Sequence, residues 1–241
     1  MTPPGDTPPT AAWRPLDARQ RRVLGVLIEK AKTTPAAYPI SVNAIVTGCN
    51  QKNNRDPLTS YDEIDVEQAL DELRTLKVVS EIDWLGRVSK YKHHAYEWLG
   101  VNRPEAAVMT ELLLRGAQAL GELRGRAARM EPIADLAELK PIVDGLVGRG
   151  LMIELTPPGR GQLVSHGLYT APELAELRTR VAGGAVRADV FERAEPFPAR
   201  GGAAPGDLAG LQAEVAELRA QVATLREKVA ELEAARHRPQ G

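Results

Sequence analysis

The same order of predicted elements occurs twice in succession between residues 16 and 172, and this duplication constrains the fold most strongly. Each repeat contains three segments whose apolar residues recur at helical spacing, followed by two strand-like segments joined at a glycine. Three helices followed by a two-stranded hairpin is the order of a winged helix. The sequence therefore predicts two tandem winged-helix domains, residues 16–100 and 101–172, in a mainly α protein with small β-wings of the α+β class.

Apolar spacing and capping residues place the elements of the first repeat. Helices are predicted to open at Leu16-Asp17-Ala18, to follow an N-cap at Ser41, and to run from about Asp62 to Lys77. Two strands, VVSEIDWL and RVSKYKHH, then meet around Gly86.

The second repeat follows the same plan. Its helices are predicted over Glu105 to Arg115, Leu120 to Met130 and Asp135 to Arg149, and its strands are LMIELT and QLVSHGLY. Pro141 lies inside the third helical pattern and predicts a helix that kinks or begins late. The residues of that helix expected to face inward are Leu136, Leu139, Val143 and Leu146.

The segments outside the repeats differ in composition. Residues 1–15 are rich in proline and threonine and are predicted to be a disordered leader. Residues 173–207 turn to alanine, glycine, arginine and proline, which predicts a flexible linker.

A heptad pattern occupies the last segment, residues 208–236, and predicts a coiled-coil helix. Valine at most a positions and leucine at every d position favour a parallel homodimer. The alternative is an amphipathic helix packed on its own globular part, although such a helix usually has a wider apolar stripe. The predicted dimer seam consists of Leu208, Leu211, Val215, Leu218, Val222, Leu225, Val229 and Leu232.

Charge and cysteine content narrow the class of protein. Among 241 residues, 31 Lys and Arg face 32 Asp and Glu, and the formal net charge of −1 excludes a uniformly basic coat for nucleic acid. Cys49 is the single cysteine, so no disulfide can form within the chain, and a cytoplasmic location is predicted. No apolar segment approaches the ~20 residues that span a bilayer, so no membrane partner is expected.

Three segments carry a resemblance to a known family. They are TTPAAYPISVNAIVTGCNQKNNRDPLTSYDE at 33–63, KYKHH at 90–94 and LLLRGAQALGELRGRAARM at 112–130. With these segments the chain resembles the YceH family of bacterial proteins, also named DUF480 or UPF0502, over residues 16–172. The resemblance implies two tandem winged-helix domains and supplies no mechanism.

Catalytic motifs are not found in the sequence. It contains no HExxH motif, no P-loop lysine motif and no nucleophile elbow. His93 and His94 are adjacent on a predicted strand and would point to opposite faces, which does not suit one metal ion. Cys49 is interpreted as a small buried residue rather than a nucleophile. We therefore expect a protein that is not an enzyme and has no cofactor and no metal.

The loop from Asn50 to Pro57 is the first candidate contact surface. Its amide side chains suit base edges and its cations suit phosphate. The alternative is a structural turn, with Arg55 and Asp56 anchoring the loop to the third helix. The candidate residues are Asn50, Gln51, Lys52, Asn53, Asn54 and Arg55.

Two further groups of basic residues each have two interpretations, and for the first wing the structural one is favoured. The first wing carries Arg87, Lys90, Lys92 and His94, which either lie against DNA or protect an edge strand. Arginines of the second repeat either bind phosphate or form a structural network between the repeats. They are Arg115, Arg124, Arg126 and Arg129.

Both predicted third helices are acidic, which opposes insertion of either helix into a DNA groove. Two hypotheses follow. The first is a regulatory protein that contacts DNA through the polar loop and the first wing and dimerises through the coiled coil. The second is an adaptor that uses the winged helices to bind an unidentified protein partner, without nucleic acid.

Overall fold

The structure is a computed structural model that describes residues 13–82, 88–184 and 186. Arg87, nearly all of the predicted leader, most of the predicted linker and the whole dimer seam lie outside the described residues. The chain divides into two compact bodies, Met1–Ala194 and Glu195–Gly241, and every described residue belongs to the first.

Helices form most of the described fold and are supplemented by two small antiparallel sheets, which confirms the α+β class. In the first repeat the elements are α1 (Ala18–Thr33), β1 (Ile40–Ser41), α2 (Val42–Cys49), α3 (Glu63–Thr75), β2 (Val79–Ile82), β3 (Lys90–His93) and α4 (Ala95–Leu99). In the second they are α5 (Arg103–Arg115), β4 (Gln118–Ala119), α6 (Leu120–Ala127), α7 (Leu136–Gly148), β5 (Met152–Glu154), β6 (Leu163–His166) and α8 (Ala171–Ala182).

Side-chain caps fix where the first helix of each repeat begins. Asp17 accepts a hydrogen bond from the Gln20 backbone, and the Gln20 side chain accepts one from the Asp17 backbone, which forms a capping box. Asn102 and Glu105 form the same arrangement before α5. These caps satisfy backbone N–H groups that have no partner within the helix.

Each sheet has three strands, and its last strand in sequence lies at the centre. The orders are β1-β3-β2 and β4-β6-β5. The interpretation of Lys90 and Lys92 as protection for an edge strand is therefore wrong, because β3 pairs on both sides. The sequence did not reveal β1, since a two-residue strand is too short to show an alternating pattern.

One large apolar core joins the two repeats, and a second, smaller cluster forms around Leu163, Leu177 and Val186. The large core includes Leu24 and Leu27 of α1 together with Met109 and Leu112 of α5, all fully buried. α1 crosses α5 closely, because Gly25 has no side chain at the point where Leu114 packs against it. The two repeats are thus halves of one core rather than two separately packed domains.

Two predictions about the end of the second repeat were wrong. Leu136 is 53% exposed rather than turned inward, since it is the first residue of α7 and lies above the buried row formed by Leu139, Val143 and Leu146. α8 occupies part of the segment predicted as linker, because its capping box at Thr170 and its buried Leu177 stabilise a helix there. Pro141 lies inside α7, which nevertheless begins at Leu136 and so does not begin late.

Candidate functional site

Arg55 is buried in the protein interior and is 5% exposed. Its guanidinium makes two hydrogen bonds to the Glu29 carboxylate of α1, at 3.2 and 2.5 Å, and its Nε donates to the Gly48 carbonyl at 2.8 Å. The expectation that Arg55 contacts nucleic acid is therefore wrong, because its donors are already engaged and shielded from solvent. Arg55 anchors the polar loop, and it does so to α1 rather than to the third helix.

Most amide side chains of the loop hold the loop in shape. Asn50 donates to the Tyr61 carbonyl at 2.7 Å and accepts from the Tyr61 backbone N–H at 2.9 Å. Gln51 accepts from Arg55 at 2.9 Å, and Asn54 adopts a left-handed backbone conformation with φ of 60°. Of the six candidate contact residues from Asn50 to Arg55, the exposed ones are Lys52 and Asn53.

Arg22 of α1 lies beneath the same loop and is also buried. It donates to the carbonyls of Cys49 and Pro57, at 2.9 and 2.6 Å, and burial lowers the pKa of its guanidinium. Burial raises the pKa of the Cys49 thiol to about 12, so this cysteine is protonated at neutral pH and is no nucleophile.

The arginines of the second repeat surround a buried carboxylate, Glu111. Arg129 donates to Glu111 at 2.6 Å, and Arg115 lies 3.6 Å from the other Glu111 oxygen. Arg126 forms an ion pair with Glu122 and donates to Gln118 at 2.9 Å.

Two further contacts complete the set. Arg124 donates to the carbonyls of Ile133 and Ala134, at 3.4 and 3.3 Å. Arg115 reaches across to the first repeat and donates to Asn54. All four arginines that were proposed to bind phosphate therefore already have acceptors within the protein.

The polar loop meets two of these arginines, Arg115 and Arg126, in a cleft of about 230 Å³. The backbone N–H of Asp56 donates to the Leu114 carbonyl at 3.0 Å and holds the loop against the C-terminal end of α5. The sequence predicted both groups separately but gave no sign that they are neighbours. The cleft is lined by Lys52, Arg55, Asp56 and Leu58 from the loop, and by Arg115, Ala117, Gln118, Glu122 and Arg126 from the second repeat.

The described part of the first wing carries two lysines and two histidines. Lys92 is exposed and Lys90 is partly exposed, and neither pairs with a carboxylate within the described residues. His94 precedes α4 and shares a hydrogen bond of 2.9 Å with Ser80. His93 is partly buried between Tyr38 and Tyr96, and desolvation lowers the pKa of its imidazole to about 4.

The outward face of α3 is acidic. Glu63, Glu67 and Asp71 recur every four residues along the helix and are all exposed. Ile64 lies beside them and is 63% exposed. This combination, named the α3 face below, consists of Glu63, Ile64, Glu67 and Asp71.

The described residues contain neither a cluster of metal-ligand side chains nor a helix that could span a membrane. Over residues 13–82 and 88–184, no group of three or more His, Cys, Asp and Glu side chains is arranged to hold a metal ion. None of the helices within those ranges is long and apolar enough to cross a membrane.

Comparison with known sequences identifies the family. Residues 16–160 match the family model described as "Protein of unknown function, DUF480". The chain belongs to the DUF480 family. This confirms the resemblance that the segments at 33–63, 90–94 and 112–130 carry.

Relatives of this DUF480 chain come from several bacteria. A UPF0502 protein of Rhodopirellula baltica is 57% identical over 160 residues, which cover 66% of this chain and 68% of the relative. A UPF0502 protein of Citrifermentans bemidjiense is 42% identical over 178 residues, covering 72% and 83%. A UPF0502 protein of Azoarcus is 40% identical over 214 residues, covering 87% and 90%.

Proposed function

We propose that this protein is a non-catalytic adaptor that uses two winged helices to bind a protein partner. The α3 face carries this proposal. Glu63 and Glu67 repel phosphate and attract a basic segment, and Ile64 offers an apolar contact beside them. Asp71 extends the acidic row but already pairs with Arg74. A partner segment with lysines or arginines around one or two apolar residues complements this face.

The distribution of paired cations supports a protein partner over nucleic acid. Affinity for a nucleic-acid backbone depends on several cations that are free to neutralise phosphates. Among the described candidates, Arg55 and the four arginines of the second repeat are engaged with acceptors of their own. Contacting DNA with these residues would require breaking those interactions first.

DNA binding through the first wing is the second candidate function. Its support is that Lys90 and Lys92, on the central strand β3, have no carboxylate partner within the described residues. Two lysines can contribute to a phosphate contact, and Lys52 of the polar loop adds a third exposed cation.

Assembly and location complete the proposal. We propose that residues 208–232 form the seam of a parallel homodimer in the cytoplasm. Two copies would then present two α3 faces to one partner or to a pair of partners, which raises the apparent affinity without any new contact.

A binding experiment separates the two functions. The full chain is titrated by fluorescence anisotropy with a labelled amphipathic peptide rich in lysine and leucine, and in parallel with labelled duplex DNA, at several salt concentrations. The adaptor function predicts peptide binding that weakens with salt, and weakens about fivefold in Glu67→Lys. Glu176→Lys, a charge reversal at an exposed position of α8, is the matched control and leaves peptide binding unchanged.

The DNA-binding function predicts a different result in the same experiment. Salt-dependent binding to DNA that is lost in Lys90→Ala/Lys92→Ala, with no binding of the peptide, rejects the adaptor function and establishes the wing-led function. Peptide binding that is equal in Glu67→Lys and Glu176→Lys also rejects the α3 face as the contact.

A further inference from the structure

The cleft between the polar loop and α5–α6 carries more positive charge than its own carboxylates neutralise. Four of its lining residues are cationic and two are anionic, Asp56 and Glu122. Glu29 neutralises Arg55 from below, and Glu122 neutralises Arg126. Lys52 and Arg115 are the other two cations, one from each repeat, and Asp56 is the remaining carboxylate of the lining.

Arg115 donates to Asn54 but is otherwise incompletely satisfied. Its Nε is buried without a hydrogen bond, and the nearest carboxylate oxygen, on Glu111, lies 3.6 Å away. Glu111 is shared with Arg129, so one carboxylate serves two guanidinium groups. Burial and the neighbouring charges of Arg126 and Arg129 lower the pKa of Arg115. An anion placed in the cleft would relieve this crowding of like charges.

Lys52 lines the same cleft and belongs to the first repeat. It is exposed on the loop and has no carboxylate partner within the described residues. The loop that carries it is held rigidly by the Arg55–Glu29 ion pair and by the hydrogen bond between Asp56 and Leu114. Because the loop is already ordered, Lys52 can close over a bound anion at a small entropic cost.

We propose that this cleft binds a small phosphate-bearing molecule between Lys52 and Arg115. An arginine fork from one repeat and a lysine point charge from the other suit the several oxygens of a phosphate group. Leu58 and Ala117 form an apolar edge of the cleft that fits a short carbon chain attached to the phosphate. This site is separate from the α3 face and goes beyond the proposed adaptor function.

The size of the cleft favours a small molecule over a nucleic acid. Its volume of about 230 Å³ lies below the ~300–1,000 Å³ typical of pockets for drug-sized ligands. A phosphate with a few carbon atoms matches such a volume. Since the two walls belong to different repeats, the bound molecule would link them and stabilise the folded protein.

The test is calorimetric titration of the full chain, with inorganic phosphate and with glycerol phosphate, at low chloride concentration. The wild type is expected to bind both saturably. Lys52→Glu places a negative charge at the cleft and is expected to weaken binding at least tenfold. Lys92→Glu makes the same change at an exposed lysine of the wing and is the matched control, with unchanged affinity.

A second variant tests the opposite wall. Arg115→Met removes the guanidinium, and thermal unfolding of the variant establishes that it is folded at the temperature of the titration. Loss of phosphate binding in this folded variant supports the proposal. If Arg115→Met unfolds, the comparison of Lys52→Glu with Lys92→Glu decides the question.

Three results overturn the proposal. One is the absence of saturable phosphate binding by the wild type, and another is an equal loss of affinity in Lys52→Glu and Lys92→Glu. The third is a short duplex DNA that displaces phosphate and binds more tightly through Lys52, which would identify the cleft as a contact for a nucleic-acid backbone.

Discussion

Three charged side chains of α1 are buried, and each has a different kind of partner. Arg21 forms an ion pair with Glu173 of α8, with hydrogen bonds of 2.8 and 2.6 Å. Arg22 is held by backbone carbonyls of the polar loop, and Glu29 by Arg55. Because a buried charge must be paired or hydrogen-bonded, these contacts connect α1 to α8 and to the polar loop.

The ion pair between Glu29 and Arg55 gives the first prediction. Glu29→Gln keeps the shape of the side chain but leaves the Arg55 charge buried without a counter-charge. We expect the free energy of unfolding to fall by about 3 kcal/mol, measured by urea denaturation. Asp71→Asn is the control, because the exposed pair between Asp71 and Arg74 contributes below about 1 kcal/mol. Equally small losses in both variants would contradict the structural role assigned to Arg55.

The second prediction concerns the dependence of stability on pH. Burial lowers the pKa of His93 to about 4, whereas the unfolded chain titrates this group near 6.5. The unfolded state therefore binds more protons between these values, and stability falls as the pH decreases from about 6.5 toward 4. Burial also lowers the pKa of His166, which acts in the same direction.

A single substitution isolates the contribution of His93. His93→Asn removes the titrating group while keeping an acceptor for the Ala95 backbone N–H. Between pH 7 and pH 5 we expect the wild type to lose more unfolding free energy than the variant, by on the order of 1–2 kcal/mol. Denaturant titrations at the two pH values measure this difference. An identical pH dependence in both proteins would show that His93 is accessible to protons in the folded state.

At the scale of elements, the crossing of α1 and α5 depends on the absence of a side chain at Gly25. A Cβ atom at this position would lie 2.9 Å from Cδ2 and 3.0 Å from Cγ of Leu114, which is fully buried. Contacts this short force either the leucine or the helix to move. The two repeats can therefore approach each other only because α1 has glycine here.

The third prediction follows from this crossing. An alanine inside a helix normally stabilises it by up to about 1 kcal/mol relative to glycine. At Gly25 we expect the reverse, a loss of about 1–3 kcal/mol, because the clash outweighs the gain in helix propensity. Gly145→Ala in α7 is the matched control, since its Cβ would make only an ordinary contact of 3.6 Å with Glu105. Thermal unfolding of both variants measures whether each substitution stabilises or destabilises the protein. Stabilisation by Gly25→Ala would contradict the close crossing.

Much of the order of helices and strands could be predicted, because capping residues and apolar spacing locate these elements in the sequence. The capping residues at Asp17, Ser41 and Asp62 precede helices that begin within two residues of the predicted positions. The short strands β1 and β4 could not be predicted, since two residues carry no periodicity. Their absence from the prediction concealed the central position of β3, and with it the reason why its lysines do not protect an edge.

The candidate site could be predicted only in parts. The sequence identified the loop and the arginines as chemically unusual, but contacts across many residues decide what each side chain does. Arg55 finds Glu29, 26 positions earlier in the chain, and Arg115 finds Asn54, 61 positions earlier. Both pairs depend on how α1 packs against α5 and the loop, which apolar spacing does not specify.

At the scale of the whole molecule, the fourth prediction concerns assembly. The heptad pattern from Leu208 to Leu232 predicts that a chain ending before Leu208 is monomeric, whereas the full chain is dimeric. Light scattering at micromolar concentration measures both masses. A truncated chain that is still fully dimeric would place the interface in the globular part and reject the seam.

The shared core determines how far apart the two repeats would hold their contacts with a partner. Since α1 and α5 pack into one apolar core, the spacing between α3 and α7 is fixed when the chain folds. A partner that contacts both helices would therefore lose less conformational freedom at its second contact than it would on repeats joined by a flexible tether. An adaptor of this kind would select partners by the distance between their binding segments.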